Sequence, residues 1–72
     1  MDDVARVECY SGHQYAERPV AFYWQGQRLE VQSVQATWRI PEGRRFRVRT
    51  VGDQVFELVY LEDSGQWQVQ PV

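Results

Sequence analysis

Seventy-two residues, 43% of them apolar and 14% aromatic, with a formal net charge of only −2, describe one small domain, spanning 1–72, with a single core. That balance excludes intrinsic disorder, and the lone cysteine, Cys9, excludes the disulfide framework of small secreted domains. No apolar run approaches 18 residues and no signal-peptide h-region follows Met1, so no membrane partner is expected and the setting expected is soluble, reducing and cytoplasmic.

The chain has no segment with apolar residues at i, i+3, i+4 and i+7. Short β-rich runs punctuated by Gly, Pro or Asp recur instead, which predicts an all-β fold. The first run is 4–10. The stretch 11–18, "SGHQYAER", reads as a loop. Runs at 19–25 and 27–38 flank Gln25-Gly26, a spacing that suits a tight two-residue hairpin. This register sets Phe22 opposite Leu29 and Val20 opposite Val31, with Tyr23 opposite Arg28 and Ala21 opposite Glu30 on the other face. The apolar set segregates cleanly. Beyond Val31 the apolar parity slips to Val34, Ala36 and Trp38, which predicts a bulge or bend near Gln32–Ser33. Pro41 and Gly43 then mark a loop.

The C-terminal half predicts a three-stranded meander over 45–51, 55–61 and 66–70. A three-residue loop Gly52-Asp53-Gln54 places Val48 opposite Leu58, Phe46 opposite Tyr60 and Arg49 opposite Glu57. A four-residue loop from Glu62 to Gly65 then places Leu58 opposite Val69 and Tyr60 opposite Trp67. Together these runs make about six antiparallel strands in a meander. A bent third strand lets the sheet curl into a small open barrel around an aromatic core, and a two-layer sheet with 11–18 as a lid is the alternative.

Charge is unevenly spread. All eight basic residues are arginine, and five of them lie between Arg39 and Arg49 against the single acid Glu42. The other three arginines face nine acidic residues. A basic segment therefore sits on an acidic protein. In "GRRFRVRT" the residues Arg45, Arg47 and Arg49 alternate with Phe46 and Val48, so one strand face is cationic and the other apolar. Arg39, Arg44, Arg45, Arg47 and Arg49 are candidates for binding anions, with Tyr23 as an outward-facing ring for stacking. The competing reading is a solvated face in which Arg49 pairs with Glu57 across the sheet and the Arg28 stem packs on Tyr23. Under it, Arg45 and Arg47 are left beside Leu61 and Val59 with no neutralising neighbour. Trp38 and Trp67 read as core aromatics.

Cys9 and His13 are the only residues of their types, which is too few for a zinc site and, without an orienting third group, too little for a nucleophilic pair. No phosphate-loop, dinucleotide, zinc-protease or nucleophile-elbow pattern is present. No metal, cofactor or catalytic residue is expected, and the domain reads as a non-enzyme.

The run "ERPVAFYWQGQRLEVQSVQATWR" followed by "RRFRVRT" and "VFELVYLEDSGQWQV" resembles a family of short uncharacterised bacterial domains, some of which occur alongside or fused to Y-family DNA polymerases. The resemblance rests on Arg18-Pro19, Gly26, Trp38-Arg39, Phe46 to Arg49, Glu57-Leu58 with Tyr60, and Gly65 with Trp67. It covers roughly 17–70 and implies a stand-alone bacterial β module with no catalytic residues to transfer. The function expected is a binding module for a partner protein, accessory to a larger system and of open oligomeric state. Exposed strand edges and aromatic pairs suit β-augmentation. The alternative is single-stranded nucleic-acid binding through Arg45 and Arg47 with Tyr23.

Overall fold

The structure, a computed structural model, describes residues 5–9 and 18–72. It has six strands: β1 (Val7–Cys9), β2 (Pro19–Trp24), β3 (Gln27–Ile40), β4 (Gly43–Thr50), β5 (Val55–Leu61) and β6 (Gln66–Pro71). They pair antiparallel in the order β1-β2-β3-β4-β5-β6, a pure meander with no helix among the described residues. The expected loop at 11–18 lies, except for Arg18, outside the described residues.

The sheet is curled into a half-barrel. Phe22 on β2 and Phe56 on β5 stand three strands apart in the order, about 14 Å in a flat sheet. Their ring centroids lie 5.0 Å apart, edge to face. Trp24 reaches the same Phe56 ring at 5.4 Å. The concave side is the core, where Phe22, Phe46, Val48, Phe56 and Leu58 are buried and Leu29, Val31, Val34, Tyr60, Trp67 and Val69 pack against them. An isolated bridge from Ala5 to Trp67 brings the approach to β1 against β6 and narrows the seam of the half-barrel.

Local chemistry explains the turns. Gln25 and Gly26 both take positive φ, 52° and 81°, as a two-residue hairpin of the primed type requires. The register that follows is the expected one, with Phe22 opposite Leu29 and Tyr23 opposite Arg28. Gly65, at φ 72°, closes the loop from Glu62, and its N–H donates to the Leu61 carbonyl at 2.8 Å. Leu58 therefore faces Val69 and Tyr60 faces Trp67, again as expected.

The β4–β5 turn departs from expectation. Its three loop residues are Val51, Gly52 and Asp53, one position earlier than the glycine-centred assignment. The Asp53 N–H donates to the Thr50 carbonyl at 2.9 Å and the Thr50 N–H to the Gln54 carbonyl at 2.8 Å. The left-handed position falls on Asp53, at φ 73°, a residue type that tolerates it. The buried Thr50 locks the turn, its Oγ1 accepting the Gln54 N–H at 3.1 Å. Moving a loop by one residue moves the register by two. Val48 faces Phe56, Phe46 faces Leu58, Arg47 faces Glu57 and Arg45 faces Val59. Because the shift is even, every side chain keeps its face and the same residues are buried.

The β3 strand is bent twice. A register shift between Val31 and Ser33 matches the expected bulge, and a second lies between Val34 and Ala36. The second was not expected, and it corrects the reading of Trp38 as core. Val34 stays against the core, whereas Ala36 and Trp38 pass to the convex side beside Arg47 and Arg45. Trp38 is 40% exposed.

Candidate functional site

The arginines divide into two groups by face. On β4, alternation sends Arg45, Arg47 and Arg49 to the convex side, opposite in facing to the buried Phe46 and Val48. There the corrected register brings Glu57 between two of them. Arg47 donates to Glu57 Oε2 at 2.9 Å and Arg45 to Oε1 at 3.1 Å. The Glu57 side chain is only 10% exposed, held between the two guanidiniums. Arg49 donates through Nε to Asp53 Oδ1 at 2.7 Å. The expected pairing of Arg49 with Glu57 is therefore replaced, and Arg45 and Arg47, expected to lack neutralising neighbours, share one carboxylate. The Nε atoms of Arg45 and Arg47 are buried without a hydrogen-bond partner, so each guanidinium is committed to the sheet surface at its root.

Arg39 and Arg44 lie on the other face. Arg39 is the direct cross-strand partner of Arg44, Arg44 that of Tyr60, and Tyr60 that of Trp67. These four residues form a row across the concave side at the end of the half-barrel marked by the Pro41-Glu42 turn. Tyr60 and Trp67 are in ring contact at 5.0 Å. Like charges directly opposite one another destabilise an antiparallel pair. The compensation is slight: Arg39 approaches Glu62 Oε2 at 3.7 Å with both side chains exposed, and Arg44 has no ion pair among the described residues.

Tyr23 is half-buried on β2. Its ring carries the Arg6 guanidinium, whose carbon lies 5.0 Å from the ring centroid. Arg28, expected to pack there, instead donates to Glu8 at 2.7 Å and to Glu30 at 3.3 Å. The hydrogen bond from Arg28 keeps Glu8 below the usual carboxylate range, with the charges of Arg28 and Arg6 adding to it. Tyr23 faces Arg28 on β3, whereas Arg45 and Arg47 face Trp38 and Ala36. Eight or more residues of β3 separate the two places, on the order of 25 Å along the strand. The ring and the arginines do not form one surface.

Tyr23 instead belongs to a cleft at the seam, a cavity of about 720 Å³ walled by Tyr23, Trp24 and Trp67 with Arg6, Gln25 and Gln68 at its rim. No element of the sequence pattern pointed to this cleft, because it forms where the first and last strands meet. Cys9 is half-buried, and burial pushes its thiol pKa up, away from the thiolate needed for nucleophilic chemistry. His13 lies outside the described residues. Among the described residues no three His, Cys, Asp or Glu side chains are grouped to hold a metal.

The backbone supplies the remaining feature. Hydrogen bonds at the turns and strand ends fix which residues of each strand face which neighbour: the Val72 N–H donates to the Val55 carbonyl, the Thr50 N–H to that of Gln54 and the Glu62 N–H to that of Glu42. By alternation, Ile40, Trp38 and Ala36 bond to β4, and Thr37 and Arg39 direct their N–H and C=O groups away from it. β2 begins at Pro19 and pairs only with the first part of β3. The half of β3 from Ser33 to Ile40 therefore has no strand on its other side among the described residues. On the opposite border, β6 is guarded: Trp67 is bridged by Ala5, and Pro71 has no N–H to offer. β1 is only three residues long. Compared with known proteins, the chain matches no family model, and no curated protein or solved structure matches it significantly.

Proposed function

We propose that the domain is a non-enzymatic protein-binding module that accepts an extended segment of its partner along the open half of β3. The observation that carries this reading is the border from Ser33 to Ile40, where, among the described residues, no strand pairs and Thr37 and Arg39 direct backbone groups away from β4 beside the exposed indole of Trp38. An added strand would gain main-chain hydrogen bonds from Thr37 and Arg39 and side-chain contact from Trp38, the usual division between affinity and specificity in β-augmentation. The convex arginines are not required for it, since Glu57 and Asp53 already engage all three in ion pairs.

The test is an amide-resolved NMR titration with a capped eight-residue peptide of alternating Gln and Val. Saturable shifts centred on the amides of Thr37 and Arg39 and on the Trp38 indole, together with slowed hydrogen exchange at Thr37 and Arg39, are expected. Thr37→Pro removes a donor that points away from β4 and should abolish the shifts while the fold survives. No perturbation of the β3 border at millimolar peptide would overturn the reading.

A further inference from the structure

We infer that the segment accepted by β3 is acidic, with a carboxylate held by the Arg39–Arg44 pair and an apolar neighbour on Trp38; this rests on the β3 border being the docking edge. The inference starts from a local defect in the charge pattern. Every other arginine with a described carboxylate in reach is tightly engaged: Arg28 with Glu8, Arg45 and Arg47 with Glu57, Arg49 with Asp53. Arg39 and Arg44 are set against each other as cross-strand partners. The residue pair lies outside the β3–β4 hydrogen bonds, and such pairs hold their side chains closest. One arginine at a bare strand border guards it against unwanted pairing. A second directly opposite adds repulsion and no further guard, whereas two guanidiniums side by side match the oxygens of one carboxylate.

The geometry of an added strand specifies where that carboxylate sits. The residue opposite Arg39 extends the row Arg39–Arg44–Tyr60–Trp67 by one position on the concave side. An Asp or Glu there lies next to Arg39 and within the span of the long Arg44 side chain. The following residue of the partner, opposite Trp38, points to the convex side and lies against the 40% exposed indole. A preferred partner therefore alternates acidic and apolar side chains. The same row disfavours a second copy of this chain as the occupant. Antiparallel self-pairing centred on Thr37 would set Arg39 opposite Gln35 of the other copy, which brings no carboxylate to relieve the Arg39–Arg44 opposition.

The experiment compares three capped eight-residue peptides, alternating Glu and Val, Gln and Val, or Lys and Val, in NMR titrations at low salt. An exposed arginine–carboxylate contact contributes at most a few-fold in affinity. The Glu peptide is accordingly expected to bind about threefold to fivefold tighter than the Gln peptide and about tenfold or more tighter than the Lys peptide. The double variant Arg39→Gln, Arg44→Gln should erase that ranking while Thr37 and Arg39-position amides still shift. Equal binding of the Glu and Gln peptides at the same amides would overturn the acidic preference and leave the docking edge standing. Glu-peptide binding that survives Thr37→Pro would overturn both, reducing the row to a bare anion site. Competitive displacement of the Glu peptide by an eight-nucleotide oligothymidylate of higher affinity would overturn it in favour of nucleic acid.

Discussion

Two sets of arginines, a few residues apart in sequence, have opposite fates in this fold. Arg45, Arg47 and Arg49 occupy the convex side, where Arg45 and Arg47 share Glu57 and Arg49 pairs with Asp53. Arg39 and Arg44 occupy the concave row, face each other, and share only a loose contact from Arg39 to Glu62. The regular spacing of the first set draws the eye in the sequence, yet it is the second set that lacks a close ion pair among the described residues. Periodic charge along a strand identifies a face. Only the neighbours across the sheet decide whether that face is already satisfied.

The comparison is most strongly broken at Gly43, which pins both groups by fixing the start of β4. A Cβ built there would lie 1.9 Å from the Tyr60 carbonyl oxygen and 3.1 Å from the Glu62 nitrogen, both backbone atoms that cannot swing aside. Gly43→Ala should destabilise by about 3 kcal/mol, measured by urea unfolding, with both arginine groups displaced along with the turn. Glu57→Ala strikes the convex set alone. It leaves two guanidiniums without their nearly buried acceptor and should cost about 2 kcal/mol. The equivalent change at the concave set has the opposite sign: Arg44→Gln should be neutral or stabilise by about 0.3 kcal/mol, because it removes a like-charge opposition. A destabilisation by Arg44→Gln as large as that of Glu57→Ala would show that the two sets are equivalent after all.

The turn that creates the difference can be probed as well. Asp53→Val forces a β-branched residue into the left-handed region and should cost about 1–2 kcal/mol. Asp53→Gly relieves the backbone and loses the Arg49 contact, and the two effects should nearly cancel. The smallest effect is a reference from the far hairpin. Arg28 lowers the Glu8 pKa from its ordinary 4.5, so the contact stabilises above the ordinary value and fades as pH falls through the depressed one. Glu8→Gln should flatten the acid limb of the stability profile below about pH 4.5 and leave the neutral region of that slope unchanged; an unaltered acid limb would remove this pair from the account.

Much of this architecture was legible. The Gln25-Gly26 hairpin, the Gly65 loop and the first β3 bend were readable because a positive-φ demand or a parity slip falls on a residue that advertises it. The β4–β5 turn was not, because the position needing positive φ belongs to Asp53 while its neighbour Gly52 attracts the assignment. The error of one residue there moved Glu57 from Arg49 to Arg47 and Arg45, and so reversed which arginines looked unneutralised. Trp38 was misplaced for a related reason: a second bulge, at the slip between Val34 and Ala36, carries no Gly or Pro to mark it.

What the sequence by itself determined is the facing of nearly every side chain. Alternation has period two, so an all-β meander with a Phe- and Leu-lined concave side survives any even slip in register. What only the tertiary structure decided is who stands opposite whom. Turn conformation sets that, and it rests on the hydrogen bonds of Thr50 and the backbone angle of Asp53. The curl that joins Phe22 to Phe56, the cleft at the seam and the half of β3 left open among the described residues are likewise contacts, or missing contacts, between strands distant in the chain. Local patterns carry no term for such distances, and the proposed docking edge lies among them.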